Sequence, residues 1–269
     1  MSQTILELNN IHKIFEQGTV NENHVLKGLN LELNLGDFVT IIGGNGAGKS
    51  TLMNTISGAY SPDKGSITID GQDVTRWPSH KRAKLVSYVF QDTRMGTAGR
   101  LTIEENMALA SRRGLSHRLR KGVKEADRQQ MRQALASLGL GLEDRLGTEI
   151  SLLSGGQRQA ITLLMATLRK PQLLLLDEHT AALDPKTSEM VIDITQKIIE
   201  EQNLTTLMIT HNMQQALNLG NRLIMMHQGK IVLDVKGEEK ARLTITDLMN
   251  LFKQAAGQEL VSDELLLSE

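Results

Sequence analysis

Eight consecutive residues constrain the fold of this chain more than any other stretch: Gly43-Gly44-Asn45-Gly46-Ala47-Gly48-Lys49-Ser50. They fit the pattern G-x-x-x-x-G-K-[ST] and follow Phe38-Val39-Thr40-Ile41-Ile42, which is apolar on both faces. Such a strand belongs inside a sheet covered on both sides. A helical pattern carrying Leu52, Met53 and Ile56 comes next, so the order is strand, glycine loop, helix. In that context glycines let successive backbone N–H groups turn inward, and the helix N-terminus adds positive potential, which together cradle phosphate. Lys49 is placed to reach β and γ phosphates and Ser50 to ligate Mg²⁺. Gly43, Asn45, Gly46, Ala47, Gly48, Lys49, Ser50 and Thr51 are the candidate phosphate contacts.

The chain before the loop alternates in the β manner at Leu29, Leu31, Leu33 and Leu35, predicting half-buried antiparallel strands. Alternation returns at Ile67 and Ile69 before Asp70-Gly71. From about Thr93 to Leu168 the pattern is helical and charged, including the run from Arg118 to Lys124. Strand character resumes in Leu173–Leu176, Leu207–Ile209 and, more weakly, Leu223–Met226, with helical stretches between the first two, which predicts a parallel sheet. The last thirty or so residues read as one amphipathic helix and a polar tail.

Leu173 to Leu176 end in Asp177-Glu178, at the strand end where open α/β sheets bind ligands. Asp177 then faces the metal, and Glu178 polarises the water that attacks the γ-phosphate. Leu153-Ser154-Gly155-Gly156-Gln157 opens a helix and has no role in an ordinary phosphate-loop enzyme. A hydroxyl, two glycines and a helix N-terminus form a second anion site.

The motif at Leu153–Gln157 resembles the LSGGQ signature of ABC transporter ATP-binding subunits. The resemblance covers Ile5 to about Lys236 and implies the P-loop NTPase ABC ATPase fold: a mostly parallel α/β core, an N-terminal antiparallel β-subdomain and an inserted helical subdomain. It implies an ABC ATPase domain over 1–236, with the helical part at roughly 93–168, then a C-terminal helix and tail over 237–269. It further implies that Ser154, Gly155, Gly156 and Gln157 meet ATP held by another copy, in a head-to-tail homodimer. Gln91 resembles the Q-loop glutamine that ligates Mg²⁺ and senses the membrane subunit. Ala182-Leu183-Asp184 resembles the D-loop, with Asp184 near the other copy's phosphate loop. His211 resembles the switch histidine that hydrogen-bonds the γ-phosphate, and Phe15 the aromatic that stacks on adenine. Two positions depart from the family: Gly44 and His179 stand where Pro is common, and His179 is read as a structural residue at the sheet edge.

The implied protein hydrolyses ATP with Mg²⁺ and powers separate permease subunits on the cytoplasmic side of the cell membrane. The stretch around Asp177–Pro185 and Gln91–Asn106 looks like a bacterial uptake subgroup for amino-acid-like solutes delivered by a solute-binding protein. Met95, Leu101 and Ile103 are the expected docking surface for the permease. Thirty Lys+Arg against 31 Asp+Glu leave a formal charge of −1, which argues against a nucleic-acid partner. The absence of cysteine excludes disulfides and thiolate chemistry. No signal-like N-terminus and no run of about 18 apolar residues is present, so export and membrane spanning are not expected. The alternatives are a non-transport ABC ATPase of DNA repair or the ribosome, and an exporter engine. The inserted coiled coils of the first and the second cassette of the ribosomal forms are missing here.

Overall fold

The computed structural model describes residues 3–115 and 123–256. Most of the charged run from Arg118 and the polar tail beyond 256 lie outside the described residues. In chain order the strands are β1 (Thr4–Phe15), β2 (Asn23–Asn34), β3 (Phe38–Ile42), β4 (Lys64–Ile69), β5 (Gln72–Asp73), β6 (Val86–Val89), β7 (Leu173–Asp177), β8 (Thr206–Ile209), β9 (Arg222–His227) and β10 (Lys230–Lys236). The helices are α1 (Lys49–Ser57), α2 (Ser79–Arg82), α3 (Ile103–Ser111), α4 (Glu125–Ala136), α5 (Gly155–Thr167), α6 (Pro185–Gln202), α7 (Met213–Asn218), α8 (Glu238–Ala241) and α9 (Ile245–Ala256).

An antiparallel sheet of order β2-β1-β4-β5 stands beside a six-stranded sheet of order β10-β9-β3-β8-β7-β6. In the larger sheet β3 pairs in parallel with β8 and β9, and β7 with β6 and β8, while β10 runs antiparallel along β9. A mostly parallel core sheet beside an N-terminal antiparallel sheet is the arrangement expected from the sequence. Alternation explains how β7 sits in it: Leu173 and Leu175 join the core shared with the antiparallel sheet and α1, whereas Leu174 and Leu176 join the core under α5 and α6. Strands covered on both faces need apolar residues at every position. Leu29, Leu31 and Leu33 are buried as the alternation requires, but Leu35 is exposed because β2 ends at Asn34 and the chain turns.

Two expectations change in the structure. Ile103 is fully buried in the core beneath α3, so it supports the fold and presents no docking surface, unlike exposed Met95. The C-terminal segment forms two helices, α8 and α9, in place of one. The Thr244 hydroxyl accepts from the Asp247 N–H while the Asp247 carboxylate accepts from the Thr244 N–H, and this reciprocal cap starts a new helix.

One buried charge ties α1 to the antiparallel side. Arg82 is fully buried and donates to the Thr55, Ile56, Trp77 and Thr75 carbonyls. Burial lowers its pKa to about 10, and the carbonyls at the end of α1 supply the negative potential that keeps it charged.

Candidate active site

The phosphate loop leaves β3 through Gly43, whose φ of 153° lies in the region that favours glycine. Any side chain there would collide with the Met226 carbonyl oxygen, so glycine is required by close backbone approach. Gly48 at φ 96° caps α1 with no side-chain hydrogen bond, so the helix opens toward the loop without a capping side chain. Lys49 is 6% exposed, and its ammonium donates to the Gly43 carbonyl at 2.7 Å and the Gly44 carbonyl at 3.2 Å. A pocket of about 410 Å³ opens over this loop, lined by Asn45 to Thr51 together with Glu178, His211 and Gln228.

β7 and β8 end side by side and deliver the acids and the histidine. Asp177 pairs with Ile209 in register, and the Glu178 N–H donates to the Ile209 carbonyl at 3.1 Å. Glu178 adopts φ 47°, a left-handed conformation uncommon outside glycine and typical of residues held for a purpose. His211 Nε2 lies 2.6 Å from Glu178 Oε1, with the imidazole 48% exposed and the carboxylate side chain 10% exposed. That separation is hydrogen-bonding distance, so the Glu178 carboxylate and the His211 imidazole orient each other. Asp177 accepts from the Tyr88 hydroxyl at 2.7 Å. Burial raises the Asp177 pKa, opposed by the Tyr88 hydrogen bond and the nearby Lys49 charge.

The structure thus gathers the loop residues, Glu178 and His211 around one pocket. Gln91 is exposed and, with Phe15, stands outside the residues that line it. Phe15 meets Tyr60 edge-on at 5.3 Å between centroids, with the Lys13 ammonium 5.4 Å from its centroid, so the ring is held at the surface of the antiparallel sheet. The Ser154 group is also elsewhere. Ser154 caps α5, its hydroxyl accepting from the Gln157 N–H at 3.3 Å while the Gln157 side chain accepts from the Ser154 N–H at 3.3 Å. Gly156 packs so tightly on α6 that a methyl there would collide with the Thr187 methyl. Asp184 caps α6 by accepting from the Thr187 N–H at 3.1 Å, and the Thr187 side chain first and this backbone bond second hold its carboxyl below the usual range.

Tyr88, Gln228, His24 and Lys27 were not singled out from the sequence; the first holds Asp177 and the others line the pocket. Strand alternation places Tyr88 near the end of β6, the edge strand of the larger sheet, but its partner is decided by the pairing of β6 with β7. His179, read as structural, is buried against α6 two residues beyond the end of β7. The Thr195 hydroxyl donates to the Val191 carbonyl at 2.7 Å, so it accepts from His179 Nε2–H at 3.0 Å. Burial lowers the imidazole pKa to about 4, which keeps it neutral.

Residues 26–181 match the ABC transporter family. The chain is 44% identical over 251 residues to the tyrosine transport ATP-binding protein of Clostridioides difficile, covering 93% of this chain and 100% of that relative. It is 33% identical over 269 residues to a methionine import ATP-binding protein of Enterococcus faecalis, covering 98% of this chain and 75% of the relative. Among solved structures, a dimeric ATP-binding cassette in a post-hydrolysis state with ADP and inorganic phosphate aligns at a TM-score of 0.74 and 28% identity, over 86% of this chain and 98% of that one.

Proposed function

The chain belongs to the ABC transporter family and is an ATP-hydrolysing subunit of such a transporter; from that premise we propose that it drives uptake of an amino acid, tyrosine or a close analogue, through separate permease subunits. The observation that carries the chemistry is the Glu178–His211 pair, 2.6 Å apart beside the phosphate loop. The solute reading rests on the relatives named for tyrosine transport and methionine import.

In this reading the loop N–H groups and Lys49 hold the phosphates, and Phe15 stacks on adenine. A water oxygen bonds to the γ-phosphorus as the bond to the β–γ bridging oxygen breaks. Glu178 takes the water proton on the carboxylate oxygen that His211 does not hold, and His211 steers Glu178 and the γ-phosphate. Ser50, Gln91 and Asp177 present only oxygen donors, and no cluster of three acids or histidines occurs among the described residues. That sparse, hard donor set fits Mg²⁺, which binds few protein oxygens together with substrate phosphates. When bound, the ion neutralises charge on the β and γ oxygens.

Ser154, Gly155, Gly156 and Gln157, with Asp184, close on the ATP of a second copy in a head-to-tail dimer; the aligned cassettes are dimeric. We assign 93–168 as the helical part of a domain over 1–236, followed by the C-terminal segment 237–269. No helix among the described residues is long and apolar enough to cross a membrane, so work leaves through a permease contact on the cytoplasmic side. A groove of about 510 Å³ that includes Gly96, Ala98 and Leu109 receives it, with Met95 (66% exposed) on the same segment as Gly96 and Ala98. A solute-binding protein supplies the permease. ATP-dependent accumulation of labelled tyrosine by vesicles carrying this chain and its permease tests the proposal. ATP turnover with no tyrosine uptake, but with uptake of methionine, would replace the solute; no turnover would overturn the assignment of Glu178 and Lys49.

A further inference from the structure

The C-terminal helix has no part in the chemistry above, yet it ends against the phosphate loop. Phe252 of α9 is 6% exposed and shares a core with Ile42, the last residue before the loop, and with Leu223, Met225 and Leu248. Its ring tip faces Gly44: Phe252 Cζ is the nearest atom to the side-chain position that the glycine leaves empty, 4.0 Å from where a methyl group would stand. The same ring stands edge-on to His227, with centroids 6.1 Å apart and planes at 81°.

His227 begins the turn from β9 into β10, and that turn is itself tied to the loop. Met226 abuts Gly43 closely enough to exclude any side chain. Gln228, at φ 47°, lines the phosphate pocket. The Gly229 N–H donates to the Ala47 carbonyl at 3.1 Å, and its carbonyl accepts from the Lys27 N–H at 3.1 Å. One ring therefore faces the loop at Gly44 and packs on His227, at the end of the strand that leads into the turn gripping the loop at Ala47. Glycine gives a phosphate loop its close approach but also the most conformational freedom to lose. An external brace that holds the N–H groups inward before the ligand arrives removes part of that cost.

We propose that Phe252 is a positioning residue for the nucleotide site, and that α9 braces the phosphate loop from behind through Gly44 and the His227–Gly229 turn. The inference rests on this pocket being the nucleotide site. Calorimetric titration with ADP, with the melting temperature and steady-state ATP hydrolysis read on the same preparations, tests it. Phe252→Ala weakens ADP binding by roughly tenfold, the scale of losing a residue that supports a binding group from outside, and raises KM while kcat holds. Phe252→Leu keeps most of the affinity. Leu248→Ala, from the same core but not among the atoms nearest Gly44, lowers the melting temperature and leaves ADP affinity unchanged. Where Phe252→Ala does not fold, Phe252→Val takes its place in the series. Unchanged affinity in the Phe252 variants, or an equal loss in Leu248→Ala, overturns the brace. Wild-type protein that binds no ADP overturns the site assignment itself.

Discussion

The phosphate loop and the signature segment both offer glycines at a helix N-terminus, and the chain holds them in opposite ways. α1 starts from Gly48 with no side-chain cap, over a buried lysine and against strands of its own core. α5 starts from Ser154 with a reciprocal Ser–Gln cap, and Ser154 and Gly155 are exposed. The first arrangement uses no side-chain cap and leans on the interior to stay in shape. The second satisfies its own helix end, so it is stable while facing solvent. On the proposed reading, a half-site that a second copy completes has to survive open, whereas a pocket within one chain can lean on its own core.

Glu178→Gln tests the phosphate side where the effect is largest. It should slow hydrolysis by roughly 10²- to 10⁴-fold while ATP still binds, the range for a general base. Single-turnover hydrolysis beside equilibrium binding measures this; turnover near the wild-type rate would move the base elsewhere.

Acid stability probes how firmly the same strand end is fixed to the core. His179 is neutral in the fold with a pKa of about 4, below the ordinary 6.5. Between those values the unfolded chain binds a proton that the folded chain refuses, so stability falls as pH drops through that window. The full loss is about 3 kcal/mol, reached near pH 4. Denaturant unfolding across pH 7 to 4 should show that sag in the wild type and a flatter curve in His179→Gln. Parallel curves would mean that the imidazole charges without penalty.

On the signature side, Gly156→Ala forces a methyl into Thr187 and should cost about 1–3 kcal/mol, as overpacking does. Thr187→Ser in the same chain removes the opposing methyl and should restore most of it, a coupling that a double-mutant cycle reads. Ser154→Ala has the smallest expected effect, about 1 kcal/mol of stability from the lost cap. ADP affinity of the monomer should stay unchanged, because Ser154 is outside the pocket lining. A fall in monomer affinity would erase the contrast between the two helix ends.

The site was legible from the sequence where its chemistry is stored in consecutive residues. The loop, the Asp177-Glu178 strand end and the Ser154 cap each follow from torsion angles, alternation and hydrogen bonds within a few positions. Glu178 was read from the strand end and His211 from resemblance, and the two meet in one pocket because the parallel neighbours β7 and β8 end at the same edge. Gln91 and Phe15 carry an assigned role from resemblance alone, since neither alternation nor spacing says which cavity a side chain reaches.

What the amino-acid sequence determined by itself was the set of local conformers: apolar strands covered on two faces, glycines where backbone must approach backbone, and capped helix starts. What only the tertiary structure decided was which of those surfaces meet. Ile103 went to the core, His179 was buried neutral against α6, Tyr88 was handed to Asp177 across β6 and β7, and Phe252 reached Gly44 from more than two hundred residues away. Local preferences act through bonds a few residues apart, while burial and hydrogen-bond partners depend on distances that exist only once the sheets have packed.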